Sequence, residues 1–136
     1  MFRITSYLRR IAWMMLIVVL VGCNLGAPTA TPVPTPDIPS VEILSPPNNA
    51  QVIEGTDFDL DILAMDESQG IAKVELYVDG TLINDNSPAI PSAQYRVTMN
   101  WLAQGIGFHV ISVIGYRADG TRSDETIINI EVIPRN

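Results

Sequence analysis

The stretch DFDLDILAMD, residues 57–66, decides the fold because its side chains alternate between acidic and apolar. Successive side chains of a β-strand point to opposite faces of the sheet, whereas one face of a helix recurs about every 3.6 residues. Here apolar side chains stand at positions 58, 60, 62 and 64, and aspartates stand at positions 57, 59 and 61. The stretch therefore predicts a strand with one face in a core and the other in water.

The same period of two recurs along residues 41–133. Apolar and polar side chains alternate in the segment 73–78, and further strands are predicted at 41–43, 95–101, 108–117 and 125–133. The pairs Asp79-Gly80 and Asp119-Gly120 suit tight hairpins, because both central residues of a type I′ turn need a positive φ. Several short strands without a helical segment between them predict an antiparallel sandwich.

Five segments in a fixed order point to a known kind of domain. They read VEILSPPNNAQV (41–52), DFDLDILAMD (57–66), GIAKVELYVDGTLI (70–83), GFHVISVIGYRADGTRS (107–123) and TIINIEVI (126–133). Together they resemble the bacterial Ig-like domains of secreted and surface proteins. The resemblance implies an all-β, Ig-like antiparallel β-sandwich of about seven strands, which we expect to occupy residues 41–136. Gly115 and Arg117 depart from the alanine and the aspartate that are usual there, and the second departure weakens any cation site suggested by relatives.

The first 22 residues differ in composition from the rest of the chain. They contain three arginines and no acidic residue, and an apolar run follows from Ile11 to Val21. Crossing a bilayer takes roughly 20 apolar residues, so this shorter run is typical of the helix of a signal peptide, predicted over residues 1–22. An uncleaved membrane anchor is the alternative.

Leu20-Val21-Gly22-Cys23 resembles the lipobox of bacterial lipoproteins. The resemblance implies that the Cys23 thiol takes a diacylglycerol, that the signal peptide is cut before Cys23, and that the acyl chains hold the protein in the membrane. Asn24, where an aspartate would favour the inner membrane, favours the outer membrane, or the outer leaflet if there is only one membrane. We therefore expect an exported protein that is lipid-anchored and faces outside the cytoplasm.

Residues 23–40 predict a tether rather than part of the core. The stretch NLGAPTATPVPTPDIPS is rich in proline and threonine, a composition that favours an extended polyproline II conformation. Of the eight basic residues three lie in the first 22, whereas all fifteen acidic residues lie beyond them, so the mature chain has a formal charge of −10. This charge argues against nucleic acid as a partner.

Catalytic and metal sites find little support in the composition. His109 is the only histidine and Cys23 the only cysteine, which nearly excludes a Ser-His-Asp or Cys-His nucleophile and a zinc site. We expect His109 to fill a position at the rim of the sandwich. No catalytic residue, metal site or cofactor is predicted.

A calcium site at the aspartates of residues 57–61 is the alternative to a solvated strand face. Calcium loops have acidic ligands at this spacing, but Ile62 and Ser68 stand where an EF-hand loop needs glycine and glutamate. On a strand, moreover, side chains two residues apart lie roughly 6.6 to 6.8 Å apart, too far for all three carboxylates to reach one ion. We favour the solvated face.

A partner-binding surface is predicted by the alternation in the strand 108–117. If Ile111 and Val113 point into the core, the residues between and beyond them point outward. An outer sheet face is usually polar, so a group of apolar and aromatic side chains there indicates a contact surface. The predicted partner-binding face consists of Tyr77, Ile114, Tyr116 and Ile127.

The sequence as a whole indicates a membrane-anchored cell-envelope lipoprotein that displays one Ig-like binding or structural module. Its predicted partners are the membrane, through the N-terminal lipid, and an unidentified protein or glycan. A glycan-binding accessory or adhesion protein is the first alternative. An enzyme is the second.

Overall fold

The computed structural model describes residues 37–136. They contain eight strands: β1 (Ser40–Ser45), β2 (Ala50–Ile53), β3 (Asp57–Met65), β4 (Lys73–Val78), β5 (Thr81–Asn86), β6 (Gln94–Leu102), β7 (Gly107–Tyr116) and β8 (Thr126–Ile133). A three-stranded sheet has the order β1-β3-β6, and a five-stranded sheet has the order β2-β8-β7-β4-β5. The two sheets enclose one core, which confirms the predicted all-β, Ig-like sandwich.

The core forms where the alternation predicted it. On β3 the side chains of Leu60 and Ile62 are fully buried, whereas Asp57 and Asp59 on the other face are exposed. The inward side chains of the opposite sheet are buried in the same way, among them Ile111 on β7. Burial of such apolar side chains contributes roughly 1.5–3 kcal/mol each, so this shared layer holds the two sheets together.

The sequence predicted β1, at residues 41–43, but not the short strand β2 that follows it. β1 pairs with β3 in one sheet, whereas β2 pairs with β8 in the other, so the chain changes sheets between residues 45 and 50. Pro46 and Pro47 lie at this change, and proline has no N–H to donate to a ladder. β2 and β8 run parallel, which makes this edge pair an exception to the predicted antiparallel order.

The two predicted hairpin turns differ from each other. Asp79 and Gly80 have φ values of 50° and 78°, as a type I′ turn requires. In the second pair only Gly120 has a positive φ, of 90°, and its N–H donates to the carbonyl of Arg117 at 3.1 Å. This loop is therefore a longer turn with one left-handed glycine, and the type I′ prediction is wrong there.

The strand directions give the sandwich a proximal and a distal end. The proximal end contains residues 37–39 and the connections 66–72, 87–93 and 117–125, and the distal end contains the connections 54–56, 79–80 and 103–106 and residues 134–136. Pro39 is fully buried and Asp37 accepts a hydrogen bond from Arg117 at 2.8 Å, so residues 37–40, which the sequence assigned to the tether, contact the sandwich.

The predicted signal peptide, Cys23 and the tether up to residue 36 lie outside the described residues. Within residues 37–136, no helix is long and apolar enough to cross a membrane.

Candidate functional site

The four residues of the predicted face all lie on one side of the five-stranded sheet. Ile127 is opposite Ser112, which is in turn opposite Tyr77, and Ile114 is opposite Glu75. Tyr116 has the same parity as Ile114 on β7. Their neighbours of opposite parity belong to the core, so the predicted orientation is correct. We call this side the outer face.

The proximal half of the outer face is a polar cluster formed by Lys73, Glu75, Tyr77 and Tyr116. The Tyr77 hydroxyl and the Lys73 ammonium each donate to Glu75 at 2.6 Å, and the ammonium lies 4.8 Å from the centre of the Tyr116 ring. Burial raises the pKa of Glu75, but the bonds from Lys73 and Tyr77 outweigh burial and hold that pKa below its usual value. The carboxylate is therefore charged at neutral pH and neutralised within the cluster.

Ile114 was expected in an exposed apolar surface, but the structure buries it. Only 7% of this residue is exposed, although it lies outside the core. Glu75 is directly opposite on β4, and we attribute the burial of Ile114 to the polar cluster of long side chains around it. A parity argument could assign the face of this residue, but not how far its neighbours would cover it.

The exposed apolar side chains of the outer face lie on β7 and β8, from the distal end to the middle of the sheet. Phe108 is 70% exposed, Val110 43% and Ile127 54%. Phe108 and Val110 follow each other on the outer side of β7, and Ile127 lies on the adjacent strand β8, diagonal to Val110. We call these three residues the apolar strip. The prediction missed Phe108. Extending the β7 alternation from Val110 by two residues toward the N-terminus would have found it.

Polar residues of β8 border the apolar strip. Asn129 is opposite Val110, and its backbone N–H donates to the side-chain oxygen of Asn48 at 2.8 Å. Glu131 is opposite Phe108 and accepts a hydrogen bond from Gln51 at 2.7 Å. The strip is thus an apolar contact area with an ordered polar margin, an arrangement typical of interaction surfaces.

His109 lies at the distal rim of the sandwich, as predicted. Its Nδ1 atom is 2.7 Å from a carboxylate oxygen of Asp79, and its Nε2 atom is 2.7 Å from the carbonyl oxygen of Gly105. The ring is tilted against Trp101 with the ring centres 5.4 Å apart. Both ring nitrogens thus contact oxygen atoms of the protein itself.

The aspartates of β3 lie on the outer side of the three-stranded sheet, where Asp57 and Asp59 are exposed and Asp61 forms an ion pair with Arg96. Within residues 37–136, no group of three or more histidine, cysteine, aspartate or glutamate side chains is arranged to hold a metal ion.

Arg117 lies between the acidic side chains of Asp37 and Asp66. Its Nε atom donates to Asp66 at 2.7 Å, and its Nη2 atom donates to Asp66 at 2.9 Å, to Ser68 at 2.6 Å and to Asp37 at 2.8 Å. The side chains of Arg117 and Asp66 are only 4% and 3% exposed. The guanidinium therefore supplies the positive charge that these carboxylates require.

The comparison with protein families agrees with the geometry of the sandwich. Residues 39–113, more than half of the chain, match the model of the bacterial Ig domain. The chain belongs to the bacterial Ig domain family. Domains with this fold are typically non-catalytic, and the match indicates no family of enzymes.

Solved structures share the fold of this bacterial Ig domain. The fibronectin(III)-like modules of CbhA from Clostridium thermocellum are 26% identical, with a TM-score of 0.61 over 71% of this chain and 100% of theirs. A CARDB domain from Pyrococcus furiosus is 16% identical (TM-score 0.52, 75% of this chain and 100% of that one). The SrpA adhesin from Streptococcus sanguinis is 14% identical (TM-score 0.51, 74% of this chain and 59% of that one). No curated protein matches the chain.

Proposed function

We propose that this chain is an exported cell-envelope lipoprotein that displays one bacterial Ig domain as a binding module. The lipid on Cys23 would anchor it in the cell membrane or the outer membrane, with the domain outside the cytoplasm. Family membership supports the display of a non-catalytic module, and the lipobox and signal-peptide pattern support export and anchoring. The observation that carries the binding role is the exposed apolar strip on the outer face.

The position of the strip suits a displayed module. The chain enters the sandwich at its proximal end, where Asp37 is bound by Arg117. Phe108 lies near the start of β7, at the distal end. A partner could therefore reach Phe108 and Val110 from the side away from the point of attachment.

The chemistry of the strip favours a protein partner with apolar side chains flanked by basic residues. Phe108 and Ile127 offer apolar area that a partner would bury, at about 25 cal/mol per Å² of apolar surface. The formal charge of −10 for the mature chain repels a second copy and favours a basic partner. A glycan is the alternative partner, since an exposed aromatic ring such as that of Phe108 can also lie against a sugar ring.

Substitution of single strip residues tests the binding role. The mature lipidated protein in neutral vesicles is used to capture proteins from an envelope extract, and Phe108→Ser and Ile127→Ser are each compared with Leu102→Ser. Leu102 is a matched control, because it is 43% exposed and lies on the other sheet. We expect capture to fall at least about ten-fold in the two strip variants, the equivalent of roughly 1.4 kcal/mol, and to stay unchanged in the control.

Two outcomes would contradict this role. Equal capture by all variants would show that the strip is not the contact surface. Binding to a glycan array that is lost in Phe108→Ser, with no protein captured, would replace the protein partner by a glycan.

A further inference from the structure

The two contacts of the His109 ring constrain its protonation state. A neutral imidazole carries one N–H group and can donate one hydrogen bond. The carbonyl of Gly105 can only accept, and so can the carboxylate of Asp79 when it is ionised. The hydrogen bond from the backbone N–H of Val110 lowers the pKa of Asp79, and burial opposes this only in part. Both 2.7 Å contacts are therefore hydrogen bonds only when His109 is an imidazolium.

The imidazolium joins three separate elements of the distal end. His109 belongs to β7, Asp79 to the turn between β4 and β5, and Gly105 to the β6–β7 loop, residues 103–106. Gly105 has a φ of 84°, and a Cβ at this residue would lie 3.4 Å from the His109 ring, so the loop approaches the ring closely. The same loop carries Ile106, which is 63% exposed.

The charged groups around the ring are few. Asp79 faces it from the β4–β5 turn and is the charged group that acts on it. Trp101 of β6 packs against the ring, and Ile130 is opposite His109 on β8, so neither of these strands presents a charge to it. The protonation of His109 thus depends on Asp79, on the Gly105 carbonyl and on burial.

We propose that protonation of His109 is a switch that fastens the β6–β7 loop to the distal rim and so fixes the position of Ile106, two residues before Phe108 of the apolar strip. When the ring loses its proton it retains one N–H, and the charged Asp79 competes for it more strongly than the neutral carbonyl. The Nε2 lone pair then faces the lone pairs of the Gly105 oxygen, and the loop is released. The link to the strip rests on the proposed function, whereas the switch itself is a property of the sandwich.

The direction of the switch follows from the groups around the ring. Burial lowers the pKa of His109, but the Gly105 carbonyl and Asp79 outweigh it and raise the pKa above its usual value. A raised folded-state pKa means that the loop is fastened at low pH and released as the pH rises through that pKa. In strong acid, protonation of Asp79 removes the other contact.

Trp101 provides a direct reporter for this switch. It is the only tryptophan of the mature chain, because Trp13 lies in the predicted signal peptide. A neighbouring imidazolium quenches indole fluorescence more strongly than a neutral imidazole does. We expect the Trp101 emission of the mature protein to rise between pH 5.5 and 9 with a midpoint above about 6.5, the usual value for histidine. Asp79→Asn should move the midpoint down by about one pH unit, and His109→Gln should abolish the transition.

Hydrogen exchange of the loop amides measures the release itself. We expect residues 104–106 to exchange at least about ten-fold faster, after correction for intrinsic rates, above the midpoint than below it. Asp79→Asn should shift the midpoint of this change together with the fluorescence midpoint. A wild-type midpoint below the usual pKa of histidine, or loop exchange that does not follow the titration, would overturn the switch.

Ile127→Ser separates the switch from the proposed function. This variant should leave the titration of His109 unchanged, and a loss of partner capture in it would concern the apolar strip alone.

Discussion

At the scale of a residue, Arg117 forms an ion pair with Asp66 in which both side chains are buried. The two residues are 51 positions apart in the sequence, and the fold brings them together. The guanidinium holds the pKa of Asp66 far below its usual value, so the ion pair stabilises the fold above the ordinary aspartate pKa and is lost only in strong acid.

Removal of Arg117 should be costly because it leaves a buried carboxylate without its counter-charge. We expect Arg117→Leu to lower the free energy of unfolding by about 3–5 kcal/mol. Arg96→Leu is the control: Arg96 forms an ion pair with Asp61, but the Arg96 side chain is 66% exposed. An exposed pair contributes at most about 1 kcal/mol. Urea unfolding at pH 7 measures both changes, and similar losses in the two variants would show that burial does not determine the strength of the Arg117 pair.

At the scale of the element, alternation predicted a strand only where one face is in the core. It predicted β3, β4, β7 and β8, whose inward side chains are buried and whose outward side chains are mostly not. It did not resolve β5, which is exposed along most of its length, or the four-residue β2, which is too short to show a period. Likewise, it gave the orientation of the outer face but not the cover over Ile114.

The packing of β1 against β7 explains the glycine at residue 115. A Cβ at Gly115 would lie 2.8 Å from the Cγ2 atom of Val41, closer than real carbon contacts, and 3.8 Å from the Cβ atom of Ala64. Val41 therefore fills the space that the usual alanine methyl would take. The departure of Gly115 from the family pattern has a steric cause on the opposite sheet.

This steric explanation predicts a compensating pair of substitutions. Gly115→Ala should destabilise the sandwich by about 1–3 kcal/mol, because Val41 must move within a packed layer. Adding Val41→Ala should recover part of that loss, although Val41→Ala alone is destabilising through its cavity. A double-mutant cycle from urea unfolding measures the coupling, and additive losses would contradict the assigned contact.

At the scale of the whole molecule, the sequence separates a part that folds from a part that, as we propose, exports and attaches it. The folded part is predicted from alternation and turn residues. Membership of the bacterial Ig domain family and the two-sheet sandwich confirm this prediction. The second part is predicted from composition and from the motif Leu20-Val21-Gly22-Cys23. The position of Asp37 links the two, because its bond to Arg117 fixes the point at which the chain enters the proximal end.

Attachment through Cys23 predicts the behaviour of the whole chain in the cell. Cys23→Ser keeps a side chain of similar size but removes the thiol that would take the diacylglycerol, and Cys23 is the only cysteine. We expect this variant to incorporate no labelled palmitate and to persist as a precursor that retains residues 1–22. Thr29→Ser, a conservative change in the tether, is the control and should be labelled and processed like the wild type. Labelling in growing cells, followed by mass measurement of the protein, tests this expectation. A Cys23→Ser protein of the mature size would show that processing does not depend on the lipid. Attachment through Cys23 would then have to be abandoned.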